Sequence, residues 1–208
     1  MPKRFVTVRN GGFLFAVVAL AGLAGCTGGD ATPPPTATPA PLATSAVPSA
    51  AIYDATGLKL CQTTDLTPLK ELGLSATKSD SKQPPSAPGS ACLFSLKTKD
   101  GHEGSLLVEA STPESADQAK LLYKATGSVT DMVDEGPVSG LGEQAEGYSG
   151  QSTASGEKTT EYLVHAQTGN LVVKTFLTVG GDDYASKQSV AAPAREITAG
   201  TLLLITKD

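Results

Sequence analysis

The chain has 208 residues, with 16 Lys and Arg against 21 Asp and Glu and a net charge of -5, which suits one ordinary domain with appended segments. Removing the N-terminal Lys3, Arg4 and Arg9 leaves 13 basic residues against 21 acidic, or -8. That balance carries no electrostatic footprint for nucleic acid, and it excludes membrane attachment through a basic patch.

Lys3, Arg4 and Arg9 form a positive start, followed by the apolar run Phe13 to Leu23 and then Leu23-Ala24-Gly25-Cys26. A charged start, a short apolar core and small residues before a cut describe a signal peptide over 1–25. The run is too short for a bilayer core of about 30 Å, which needs about 20 residues. Leu-Ala-Gly-Cys resembles the bacterial lipobox. The resemblance implies a thioether-linked diacylglycerol on Cys26, cleavage before it and acylation of the new amine, such as by palmitate. Two or more acyl chains hold a protein stably at a membrane where one is marginal. The expected location is therefore the outer face of the cytoplasmic membrane, in the cell envelope.

Residues 26–51 read as a lipidated Cys followed by a tether. Pro33, Pro34, Pro35, Pro39, Pro41 and Pro48 stand among Thr, Ala and Ser with one charge, Asp30. Such a segment buries too little apolar surface to order itself. Its proline content favours polyproline II at ~3.1 Å per residue, a reach of roughly 75 Å at most. With Cys26 assigned to lipid, Cys61 and Cys92 remain, and an oxidising compartment favours pairing them. Two free buried thiols are the alternative. Zinc wants four ligands at motif spacing, which neither Cys provides.

A single globular domain is expected over 52–208. Thr64 to Gly73 reads as a short helix, with Thr64 or Asp65 as cap, Pro68 near its start and Gly73 at its stop. Ser79 to Ser90, with Pro84, Pro85 and Pro88, reads as a loop. Cys92 to Lys99 and Gly104 to Ala110 read as strands joined at Asp100-Gly101, a signal for a type I′ turn. Thr112-Pro113-Glu114 opens a helix whose stripe is Ala116, Ala119, Leu122 and Tyr123, ending before Gly127. Turns follow at Gly136-Pro137 and Gly140-Leu141-Gly142. Glu143 to Ser149, Thr159 to Gln167 and Leu171 to Val179 read as strands, the last two joined through Thr168-Gly169-Asn170. On the middle one, Tyr162, Val164 and Ala166 face one way, and Leu163 and His165 the other. Tyr184 to Ile205 reads as a helix with Val190, Ala194, Ile197 and Leu204 on one face; a closing strand over 202–205 is the alternative. The fold class expected is α+β: an antiparallel sheet of about five strands, helices packed on one face, and one disulfide tying the first helix to the first strand.

Three stretches carry a family likeness: Cys61 through Leu72-Gly73-Leu74, Cys92-Leu93-Phe94, and Gly140-Leu141-Gly142-Glu143-Gln144-Ala145. With the lipobox and the Thr/Pro tether, they resemble a family of small secreted actinobacterial lipoproteins classed as a domain of unknown function. The likeness spans Leu60 to Gly147 and departs at Leu93-Phe94, where a Trp is expected nearby. It implies an envelope location and a disulfide, and no activity.

Catalytic patterns are scarce. Gly147-Tyr148-Ser149-Gly150 has the wrong spacing for a nucleophile elbow. Gly140-Leu141-Gly142 precedes a strand and reads as a turn, not a phosphate cradle. His102 reads as a solvated hairpin residue; its functional alternative is a metal site with Asp100 and Glu103. His165 reads as a satisfied or half-exposed strand residue, and as a catalytic base it lacks a nucleophile. Asp182-Asp183 reads as dipole compensation before the last helix. No catalytic residue, cofactor or metal ligand is expected. The function expected is a non-enzymatic module binding an unknown envelope protein, polymer or lipid. The alternative is a carrier or chaperone of an apolar or lipid ligand, with a cell-wall hydrolase third. A large apolar cavity marks the carrier, and an exposed apolar patch marks the interaction module.

Overall fold

The computed structural model describes residues 52–128 and 130–205; the expected signal peptide, Cys26 and the tether lie outside the described residues. The elements run α1 (Leu60–Thr63), a 3-10 helix (Thr67–Leu72), β1 (Ser75–Lys82), β2 (Gly89–Lys97), β3 (Glu103–Ser111), α2 (Ala116–Ser128), β4 (Val133–Pro137), β5 (Gln144–Ala154), β6 (Glu157–Thr168), β7 (Leu171–Gly181) and α3 (Lys187–Leu204). The strands form one antiparallel sheet in the order β1-β2-β3-β7-β6-β5-β4. Two meanders, β1-β2-β3 and β4-β5-β6-β7, meet where β3 pairs with β7. The α+β antiparallel class is as expected, but with seven strands where about five were read.

Both extra strands lie at the edges. Ser75–Lys82 has no apolar alternation because neither of its faces is buried, and its lysines blunt an open edge. The expected loop therefore shrinks to residues 83–88. β4 is short and contains the Gly136-Pro137 pair that reads as a turn.

The first face of the sheet carries the main core. Leu106, Val108 and Ala110 of β3, Tyr162, Val164 and Ala166 of β6, and Val173 and Leu177 of β7 pack with Val190, Ala194 and Ile197 of α3. Leu60 of α1 and Leu69 of the 3-10 helix close one end of that core. Cys61 and Cys92 are bonded as expected, with Cα atoms 5.1 Å apart, which ties α1 to β2, the strand read as the first from sequence. The expected Thr64–Gly73 helix is a 3-10 helix entered through Asp65 Oδ1, which accepts the Thr67 N–H at 2.8 Å. Gly73 ends it at φ +66°, as a left-handed stop requires. α3 continues through Pro193 to Leu204, so residues 202–204 are helix and not the alternative strand; Leu204 is exposed, not on the buried face.

Helices do not all sit on one face. The connection from central β3 to edge β4 must cross β7, β6 and β5, and α2 makes that crossing over the second face, packing on β6 and β7. Its entrance is capped by Ser115 Oγ, which accepts the Gln118 N–H at 3.2 Å, and not by Thr112, whose hydroxyl accepts from Ala55 N–H. α2 runs through Gly127 to Ser128. Gly127 is required there because a Cβ would stand 2.5 Å from Tyr148 Oη. The β2–β3 turn also differs: positive φ occurs at Gly101 and not at Asp100, so it is not type I′. Ser155 and Gly156, both at positive φ, supply that signature between β5 and β6.

Candidate functional site

Antiparallel register lines up one polar row across the second face. Glu109 of β3 pairs with Lys174 of β7, Lys174 with His165 of β6, and His165 with Glu146 of β5. Each is one position off a core residue, so the alternation that buries Val108, Val164 and Val173 turns this row the other way. Lys174 Nζ reaches Glu109 Oε2 at 3.0 Å, and His165 Nε2 lies 3.3 Å from Glu146 Oε2.

Two tyrosines enclose the imidazole. Tyr123, from the buried stripe of α2, stacks on it at 4.2 Å between centroids and 22° between planes. Tyr148 of β5 meets it edge-on at 5.4 Å and donates its hydroxyl to Glu146 Oε2 at 2.7 Å. His165 is 0 % exposed, and its Nδ1 has no hydrogen-bond partner. Burial holds the imidazole below its usual pKa; Glu146 opposes that shift and Lys174 reinforces it. Glu146 is held below the usual carboxylate range, chiefly by the Tyr148 hydroxyl. Both phenols are pushed upward, first by burial and then by Glu146.

The imidazole at the centre of this cluster is covered, while the Glu146 carboxylate beside it is partly exposed. An imidazole backed by a carboxylate has the makings of a general base, but a base must reach the proton it takes, and this ring is covered. His165, read from sequence as satisfied or half-exposed, is instead fully buried with Nδ1 unpartnered.

Beyond α2 no other described residues cover the same face. The next row is Leu93, Leu107, Phe176 and Leu163, running from β2 to β6. The first three are half-buried. Leu107, Phe176, Leu163, Met132, Thr126 and Lys174 line an open groove of about 270 Å³ between this band and the end of α2. Ser95, Ser105 and Thr178 form a hydroxyl row beyond it, with Ser105 Oγ and Thr178 Oγ1 3.0 Å apart.

The remaining sequence-singled residues go elsewhere. His102 lies near Glu157 at 3.5 Å and Asp182 at 3.6 Å, and not with Asp100 and Glu103. Asp183 pairs with Lys158 at 2.6 Å, while Ser186 caps α3. Gly140-Leu141-Gly142 is a turn, and Gly147 to Gly150 lies within β5. Tyr162 is a core residue that accepts from Arg195 Nη2 at 2.6 Å, and Tyr184 is exposed, its hydroxyl 2.6 Å from that of Thr153. Among the described residues no group of His, Cys, Asp and Glu is arranged to hold a metal, and no helix is long and apolar enough to cross a membrane.

No family model and no curated protein matches the chain. Among solved structures, the extracellular domain of PknH from Mycobacterium tuberculosis is similar at 9% identity and a TM-score of 0.36, over 63% of this chain and 87% of that one. A score at that level falls short of a shared fold.

Glu109, Lys174 and Glu146 were not singled out by sequence, and Tyr123 was read only as part of the apolar stripe of its helix. The signal that finds three of them is register: once Gly169-Asn170 fixes the β6–β7 turn, counting back pairs His165 with Lys174 and then with the strands beyond. Tyr123 carries no such signal, because helix-to-sheet contact is not local.

Proposed function

We propose that the domain is a non-enzymatic binding module of the cell envelope. In this reading a lipid on Cys26 anchors it to the outer face of the cytoplasmic membrane, as in the lipoprotein family it resembles. The partner docks on the part of the second sheet face beyond α2. The observation that carries the reading is the band of Leu93, Leu107 and Phe176, which the described residues leave only half-buried beside α2 while the other face is packed. A contiguous apolar strip rimmed by hydroxyls and charge is the usual mark of a contact surface. The groove beside it opens to solvent and is about 270 Å³, which suits a protruding segment of a partner better than an enclosed lipid.

Site-specific photocrosslinking in intact cells tests the docking face. A crosslinker at Leu107 should capture one discrete species that the same group at exposed Ser79 of β1 does not. Equal labelling from both positions, or none from Leu107, would refute the docking face. A solvent-extractable adduct at Leu107 would favour the carrier instead. For the anchor, Cys26→Ala should abolish metabolic labelling with a clickable fatty acid and release the chain from the membrane fraction.

A further inference from the structure

The geometry points to a pH-sensitive latch: protonation of His165 unseats α2 from the sheet. The inference concerns the seating of α2 alone and stands whether or not the neighbouring groove holds a partner.

α2 has a small purchase on the sheet. Ala119 and Tyr123 are its fully buried residues, and Tyr123 makes its contact by stacking flat on the His165 ring. Gly127 adds a close approach to the Tyr148 hydroxyl, and Tyr123 also interacts with Glu146. The flat contact of α2 on the sheet is nonetheless an aromatic pair whose lower member titrates. A neutral imidazole suits this seat. It is wholly covered, its Nε2 meets Glu146 Oε2 at 3.3 Å, and its Nδ1 meets nothing.

An imidazolium does not suit it. A second N–H donor would appear at Nδ1, where no acceptor stands, and a charge would appear where water cannot reach. The groups facing the ring pull in both directions. On β5, Glu146 attracts the proton, while Tyr148 adds no charge and donates its hydroxyl to Glu146. On β7, Lys174 is the direct register neighbour and repels it, its own charge tied to Glu109 of β3 at 3.0 Å. Asp134 of β4 attracts it weakly, last among these influences. On α2, Tyr123 supplies the stack, and Asp117, Lys120 and Lys124 are exposed. Burial is the largest influence and keeps the ring neutral. Acidification then has one way to relieve the mismatch at low cost: lifting Tyr123 lets water reach the ring. No other element need move, since α3 and the main core lie on the opposite face.

The test combines two readouts on the full chain purified in detergent. The chain contains two histidines, so His102→Asn assigns the His165 imidazole signal unambiguously. Between about pH 7.5 and about pH 5 that signal should titrate. Amide exchange across α2, corrected for intrinsic rates, should rise by about tenfold or more at the acid end, while β6 and β7 stay protected. His165→Phe keeps a ring for Tyr123 to stack on and removes the proton, and α2 exchange in it should no longer depend on pH. Should that variant fail to fold, the wild-type titration still decides. An imidazole that titrates with α2 protection unchanged, one that stays neutral to pH 5, or an acid response that persists in His165→Phe would each overturn the latch.

Discussion

Adjacent residues of β3 meet opposite fates. Leu106 is 0 % exposed against α3 and the neighbouring strands, whereas Leu107 lies half-buried beside a groove. The same division runs through β6 and β7. The first face is apolar, close-packed and closed by α1, the 3-10 helix and α3. The second combines a partly buried ion pair, an imidazole and two phenols beside α2 with an apolar band that the described residues leave half-buried. Two faces of one sheet thus differ in kind: one is apolar and closed, and the other mixes buried polar groups with apolar surface only half covered.

Substitutions on the closed face should cost most. Replacing Cys61 and Cys92 by Ser removes a cross-link across 31 residues, which the chain-entropy model values at about 3.7 kcal/mol. Chemical denaturation should register most of that loss, and reductant should act on the wild type alone. Leu106→Ala should cost about 3 kcal/mol, since a large buried aliphatic leaves both a transfer loss and a cavity. A loss below about 1 kcal/mol would mean that the first face is not the close-packed one.

Two perturbations sharpen the division from the second face. Gly127→Ala places a methyl group 2.5 Å from Tyr148 Oη, so either α2 or the phenol must shift. The expected cost is about 2 kcal/mol, with the disturbance visible by NMR at His165 and Glu146 rather than in α3. Acid should weaken the fold through the same cluster. His165 is held below its ordinary 6.5, so the unfolded chain takes up its proton first. Its contribution is full above about pH 6.5 and is lost as pH falls through the folded value. His165→Phe should therefore flatten the stability profile just below pH 6.5 and leave the lower-pH loss, to which Glu146 and Glu135 contribute, in place.

Much of the first face was legible in the sequence, because alternation and helical periodicity report burial directly. Tyr162, Val164 and Ala166 on one side of β6, and the Val190, Ala194, Ile197 stripe, needed no tertiary knowledge. The strands that escaped, Ser75–Lys82 and Val133–Pro137, are edges; an edge strand with no buried face leaves no pattern to read. The length of α2 was hidden for a different reason. Gly127 looks like a stop in isolation, and its role as a point of close approach depends on Tyr148, which lies on β5. The second-face cluster was least legible. Its members come from α2 and four strands, and nothing local to Glu109, Glu146 or Lys174 distinguishes them from surface charges.

The smallest effect on stability is the most informative about purpose. Leu107 is half-buried, and truncating it to Ala removes only the part of its apolar surface that the fold covers, for a cost of about 1 kcal/mol or less. Phe176, its partner in the band, is also half-buried and should likewise contribute little. Leu107 and Phe176 lie side by side on this face with part of their apolar surface open to the groove. If Leu107→Ala leaves the unfolding midpoint nearly unchanged while abolishing capture of a partner in the envelope, the band is a contact surface. If it costs as much as Leu106→Ala, the band belongs to the core after all, and the division between the two faces fails at the strand where it is most sharply drawn.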